Sequence, residues 1–127
     1  MATQTPQGHG TILVLTAQQK LAKDIQLVLG DAGYRVYSSS NPSVIPSEAA
    51  TADLIVVDCN ECTGEATVRH LKELRRNLPS AYLILLSRVP VSKSGHMYLQ
   101  SEFNVSCVLV QPVAAEELVG QIKACLD

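Results

Sequence analysis

Two kinds of reactive residue lie together in this chain. The segment Leu54-Ile55-Val56-Val57-Asp58 sets a carboxylate at the end of four apolar residues, and Cys59-Asn60-Glu61-Cys62 follows directly. A run that is apolar on both faces is what a central strand of a parallel sheet looks like, because helices cover both of its sides. In open α/β sheets the working surface is the crevice beyond the carboxyl ends of the strands, and Asp58 ends such a strand. Cys59 and Cys62 have the two-residue spacing of metal sites and of dithiol redox sites. A structural zinc needs four ligands. No second cysteine pair or suitably spaced histidine supplies them, and Cys107 and Cys125 read as core or strand residues. That leaves a thiol redox switch at Cys59 and Cys62 as one functional reading. Cys62 precedes a predicted helix N-terminus, which would lower its pKa. Arg69, Lys72 and Arg76 share a helix face with Glu65 and Glu73 nearby, the pattern of a solvated surface. Gly8-His9-Gly10 makes no phosphate-binding fingerprint. No nucleophile–base pair is visible either, so an enzyme is not expected.

The elements that must position these groups follow from hydrophobic period. Residues 1–10, rich in Gln, Thr, Gly and Pro, read as a flexible tail, and 11–127 as one domain. Thr11–Leu15 is a first two-sided apolar strand, with Thr16 and Ala17 at its carboxyl end. A helix follows from about Gln18 to Leu29, with Leu21, Ile25, Val28 and Leu29 at helical spacing. Gly30 and Gly33 supply its stop, Gly33 being the better left-handed cap. A short strand covers Tyr34–Ser38. Pro42 and Pro46 leave room only for a brief second helix near Ser47–Thr51. After the Asp58 strand, a third helix covers about Glu65–Leu78, with Arg75 and Arg76 placed to suit the macrodipole at its end. A strand over Ala81–Leu86 ends at Ser87. A fourth helix spans about Lys93–Ser101, a fifth strand Cys107–Val110, and a last helix Ala114–Leu126. Alternating strands and helices of this kind predict a flavodoxin-like, doubly wound α/β domain with a five-stranded parallel sheet in the order 2-1-3-4-5. That order puts strands one and three on either side of the switch point, so Asp58 and Thr16–Ala17 share a crevice.

Composition bounds the partners. The 127 residues carry a net charge of −2, with 46% hydrophobic and 17% charged residues, which gives no electrostatic footprint for nucleic acid or an acidic membrane. No apolar run approaches a membrane span, and the polar N-terminus lacks a signal-peptide core, so a cytoplasmic location is expected. Four cysteines are then free thiols by default.

With these residues placed, the chain resembles the receiver domain of two-component response regulators from about Thr11 to Leu126. The resemblance rests on the apolar strand ending in Asp58 and on Ser87 ending strand four. It rests also on Asn104-Val105-Ser106-Cys107-Val108-Leu109-Val110-Gln111-Pro112 and the helix start that follows. It implies that Asp58 stands at the phosphoacceptor position, that Ser87 and Gln111 stand at phosphoryl-contact positions, and that Asn60 lends a carbonyl to Mg²⁺. A sensor kinase is an implied partner. Asn104 occupies a position usually glycine, a tolerable exchange because Asn enters the left-handed region.

Departures from the family pattern carry chemical weight. Thr16 and Ala17 replace two metal-holding acidic residues, Gln111 replaces a lysine, and Val108 replaces an aromatic. The loop after Asp58 is shorter than usual and lacks its proline. Mg²⁺ is normally held by one or two carboxylates plus phosphate oxygens. Phosphoryl transfer also depends on neutralising charge on the equatorial oxygens. Asp58 alone is a poor metal site, so no cofactor is expected, and without lysine the carboxylate lacks its compensating partner. The reading is an atypical receiver, or pseudo-receiver, acting in two-component or phosphorelay signalling mainly by protein–protein contact. The alternatives are a conventional phosphoryl-accepting receiver using Asp58 with Mg²⁺, and the thiol switch. The family docks through the fourth helix, fifth strand and fifth helix. Here that face would carry Glu117, Gly120, Gln121, Ala124 and Val108, extended by Met97–Leu99, for a homodimer or a protein partner.

Overall fold

The structure is a computed structural model that describes residues 10–40, 51–59 and 62–126. Five strands and four helices follow one another among them: β1 (Thr11–Leu15), α1 (Gln19–Asp31), β2 (Arg35–Ser39), β3 (Leu54–Cys59), α2 (Glu65–Asn77), β4 (Tyr82–Ser87), α3 (Lys93–Phe103), β5 (Cys107–Val110) and α4 (Ala115–Leu126). All the pairings are parallel and the sheet order is β2-β1-β3-β4-β5, the expected flavodoxin-like arrangement. The short helix anticipated over Ser47–Thr51 lies outside the described residues except for Thr51, which is in a turn. So do residues 1–9 of the anticipated tail, and Asn60. No described helix is long and apolar enough to cross a membrane.

Alternation of side chains along the strands builds one core on each side of the sheet. Ile12, Val14, Leu54, Val56, Ile84 and Leu86 point to the face covered by α1 and α4, where they meet Ile25, Leu29, Leu118 and Ile122. Leu13, Leu15, Ile55, Val57, Leu83 and Leu85 point to the other face and meet Leu71 and Leu74 of α2 and Leu99 and Phe103 of α3. Two-sided burial explains why the strands read as continuous apolar runs rather than alternating ones.

Helix ends differ from the expectation in two places. Helix α1 runs through Gly30 to Asp31, because Gly30 faces open space and a helical glycine there costs only about 1 kcal/mol. The turn is made by Gly33, whose φ of +98° suits glycine. Helix α3 continues beyond Ser101 to Phe103, whose ring is buried in the core. It then stops at Asn104 in the left-handed conformation, φ 53°, as anticipated for that residue. The Ser92 hydroxyl caps its start by accepting from the Gly95 amide at 3.1 Å.

Arg75 does more than complement a helix end. Its guanidinium donates to the carbonyls of Phe103 (2.6 Å), Ala81 (2.5 Å), Asn104 (3.1 Å), Leu78 (3.2 Å) and Pro79 (3.4 Å). One planar, multi-donor group thus collects orphan carbonyls from the ends of α2 and α3 and from the chain leading into β4. Arg75→Ala should cost about 2–3 kcal/mol, because hydrogen bonds from a charged group contribute roughly 1.5–3 each and do not add fully. Arg75→Lys should recover less than half of the loss, since an ammonium cannot span these acceptors. Urea midpoints measure both, and an alanine variant as stable as the parent would show the clamp to be ornamental.

Candidate functional site

Strand β3 is paired on both sides, to β1 and β4, so its carboxyl end lies in the middle of the sheet edge. Its last apolar residue, Val57, is buried, and Asp58 is the first side chain to reach partial exposure. The carboxylate is fully occupied by donors. The Thr16 hydroxyl donates to Asp58 Oδ2 at 2.7 Å, and the Gln18 amide donates to the same oxygen at 2.8 Å. The Gln111 amide donates to Asp58 Oδ1 at 2.7 Å.

Each donor is placed by its element. Thr16 is buried at the end of β1, and its Oγ1 also accepts from the Gln18 amide N–H at 3.0 Å, which closes the turn into α1. Gln18 is the N-cap of α1, yet its side chain caps nothing in the helix and reaches across to Asp58. Gln111 continues the β5 ladder through its backbone N–H to the Ser87 carbonyl at 2.7 Å, which fixes its side chain above β3. The Gln111–Pro112 peptide is cis.

Three neutral groups therefore compensate the carboxylate, which corrects the expectation that losing a lysine leaves it without a partner. Gln18 escaped the sequence reading because helix N-caps are searched for Ser, Thr, Asp and Asn. Its place three residues beyond a strand flanking the switch point was the available signal. Ser87 is wholly buried and lies across from Cys59 in the ladder. Its hydroxyl donates to the Val89 carbonyl at 2.6 Å and accepts from the Val89 amide at 3.3 Å, so it is committed to its own loop rather than to Asp58. Ala17 is exposed on the crevice and offers no ligand.

Behind Asp58, Cys59 Sγ and Cys62 Sγ approach to 2.7 Å. Cys62 is buried, not on the crevice surface, while Cys59 lines a cavity of about 430 Å³ with Thr16, Ala17, Asp58, Gly64 and His70. The Cys59 thiol pKa is pushed up, first by its hydrogen bond to Cys62 and then by burial. The Cys62 pKa is lowered, chiefly by its hydrogen bond with Cys59, with burial opposing and the Ser87 hydroxyl adding to the lowering.

No family model matches the chain, and no curated protein sequence does. Solved structures do. The chemotaxis protein CheY4 of Vibrio cholerae is 19% identical with a TM-score of 0.76, over 93% of this chain and 99% of that one. A CheY-like receiver domain protein of Methanospirillum hungatei is 17% identical with a TM-score of 0.75, over 92% and 93%. A protein described as putatively pilus assembly-related, from Burkholderia pseudomallei, is 19% identical with a TM-score of 0.72, over 98% and 95%. The fold is that of the response-regulator receiver domain.

The receiver fold makes the departures at the strand ends legible in three dimensions. Asp58 is the carboxylate that the resemblance points to. The groups that donate to it among the described residues are a hydroxyl and two carboxamides. Among the described residues no group of three or more His, Cys, Asp or Glu side chains is arranged to hold a metal ion. Among the described residues the arrangement does not fit Mg²⁺, because both oxygens of Asp58 are taken by protein donors and Ala17 supplies no ligand.

Asp58→Asn should destabilise the fold by about 1–2 kcal/mol, since it weakens charge-assisted bonds and turns one acceptor into a donor facing Thr16 and Gln18. Gln111→Ala should cost less, because Asp58 keeps its other two donors. Denaturant melts of both variants test the order. An Asp58→Asn protein more stable than the parent would show that the donors do not compensate the charge.

Proposed function

We propose that this chain is an atypical receiver, a signalling module of the two-component or phosphorelay kind that works by protein–protein contact and not as an enzyme. Asp58 is a fixed structural carboxylate in this reading. The observation that carries it is the closed ring of neutral donors on Asp58. A phosphoryl group would have to displace Gln111 from Oδ1 or Thr16 and Gln18 from Oδ2. It would then sit without a lysine or a bound cation to neutralise its oxygens.

The docking face we assign is the sheet edge formed by α3, β5 and α4. β5 ends the sheet, and Val110 on it is 45% exposed. Met97 and Tyr98 of α3 are 62% and 40% exposed, large apolar groups that the cores leave outside. On α4, Glu117, Gly120 and Ala124 are exposed and Gln121 is half-buried, while Val108 is half-buried against the α2–α3 core and adds little surface. An apolar edge rimmed by Glu117 and Lys123 suits a protein partner or a second copy of the chain.

Incubation with a small phosphoryl donor and Mg²⁺, read by intact mass, should leave the chain unmodified. An acid-labile, Mg²⁺-dependent phosphate that disappears in Asp58→Asn would overturn the reading in favour of a conventional receiver. Gly120→Arg with Ala124→Glu should abolish self-association or partner capture while the melting curve stays within about 1 kcal/mol of the parent. Gly120 faces open space and leaving a helical glycine is favourable. Association that survives both substitutions, by light scattering and pull-down, would place the interface elsewhere.

A further inference from the structure

We propose that Cys59 and Cys62 form a reversible intramolecular disulfide, a dithiol site oxidised by a small peroxide that enters through the crevice beside Asp58. The inference goes beyond the receiver reading and does not depend on whether Asp58 is inert.

Geometry separates this site from the other use of the same spacing. The two sulfurs stand 2.7 Å apart as free thiols. A disulfide holds its sulfurs at about 2.05 Å, so closing the bond needs a movement of well under an ångström. Two thiolates sharing a tetrahedral zinc, at about 2.3 Å each, would stand roughly 3.7 Å apart. The pair is poised for a bond rather than for an ion, and no third ligand joins it among the described residues. Cys59 sits at the end of β3, paired to Ser87 of β4, and Cys62 immediately precedes the turn into α2. Access comes from the cavity of about 430 Å³ that Cys59 lines, which is roomy enough for a small peroxide. Both sulfurs are otherwise buried, which keeps bulky thiol reagents away.

Geometry orders the steps: Cys59 lines the crevice and meets the peroxide first, with Cys62 behind it. The Cys59 sulfur, having given its proton to solvent, attacks one peroxide oxygen and the O–O bond breaks. This leaves a sulfenic acid on Cys59 and a hydroxide that takes a proton back to become water. Cys62 then attacks the sulfenic sulfur, its proton leaves with the displaced hydroxide as a second water, and the disulfide forms. Two thiols give up two electrons and two protons, and one peroxide becomes two waters. Cys107 and Cys125 form a control pair: Cys107 is pushed up to about 11, mainly by burial, which leaves it a protonated, poor nucleophile at neutral pH.

The test uses the full chain, reduced, treated with hydrogen peroxide at neutral pH, then unfolded and alkylated. All four cysteines should label before treatment. Two should be lost after it, mapped by peptide mass to Cys59 and Cys62, and regained with dithiothreitol. Cys62→Ser should leave Cys59, the sulfur that lines the crevice, as a sulfenic acid that a dimedone probe captures. Cys107→Ser and Cys125→Ser should keep the two-label loss. Because the wild-type map reads the bond directly, the outcome does not depend on any variant folding. Full labelling after peroxide, or a bond mapped to Cys107 and Cys125, overturns the proposal.

Discussion

A strand covered by helices on both faces offers no solvent to a polar side chain until it leaves the sheet. In β3 this holds from Leu54 to Val57, each at or near zero exposure, so Asp58 is the first position where a carboxylate can stand. The same constraint fixes its neighbours. β1 and β4 are tied to β3 residue by residue, so the ends of all three strands reach one rim together. Thr16, Ser87 and, through β5, Gln111 arrive there because burial of the apolar runs before them forbids a slip of register, which would turn every side chain to the other face. Function at the rim is therefore free to change while the scaffold stays put.

A buried or half-buried carboxylate must be compensated by a cation, a metal or hydrogen bonds. Here a hydroxyl and two carboxamides satisfy both oxygens of Asp58, so the balance is kept with no net charge added. Neutral donors give weaker compensation than an ammonium.

How much of this was legible in the sequence depends on whether a residue answers to local or to distant neighbours. β1 and β5 begin and end where their apolar runs do, and the strand order follows from connection rules. Asn104 and Gly33 were readable because left-handed backbone leaves a mark on residue type. The bonds of Gln18 and Arg75 were not. Each is an ordinary residue for its element, and its bond partner lies in another element, 40 residues away for Gln18 and 28 residues away for Arg75's link to Phe103. Cysteine spacing told that Cys59 and Cys62 could meet, but not that both would be buried behind the carboxylate with only Cys59 lining the crevice.

A switch needs a ligand that binds one state better than the other. Moving an equilibrium from one part in a hundred to its inverse takes about 5.5 kcal/mol of differential binding. In a receiver the phosphoryl group supplies that energy at the strand ends. With Asp58 already saturated, a phosphoryl group would first have to break charge-assisted bonds, each contributing roughly 1.5–3 kcal/mol, before it could bias anything. On the proposed reading the bias comes from a partner on the α3–β5–α4 edge or from a covalent change behind Asp58. Both act on the same mechanical element, because β5 carries Gln111 onto the carboxylate and β4 joins β5 to the strand that ends in Cys59. On the two proposals made above, a partner bound at that edge and a bond between Cys59 and Cys62 would both act on the strands that hold the Asp58 ring, and by linkage their coupling would be of equal size in either direction.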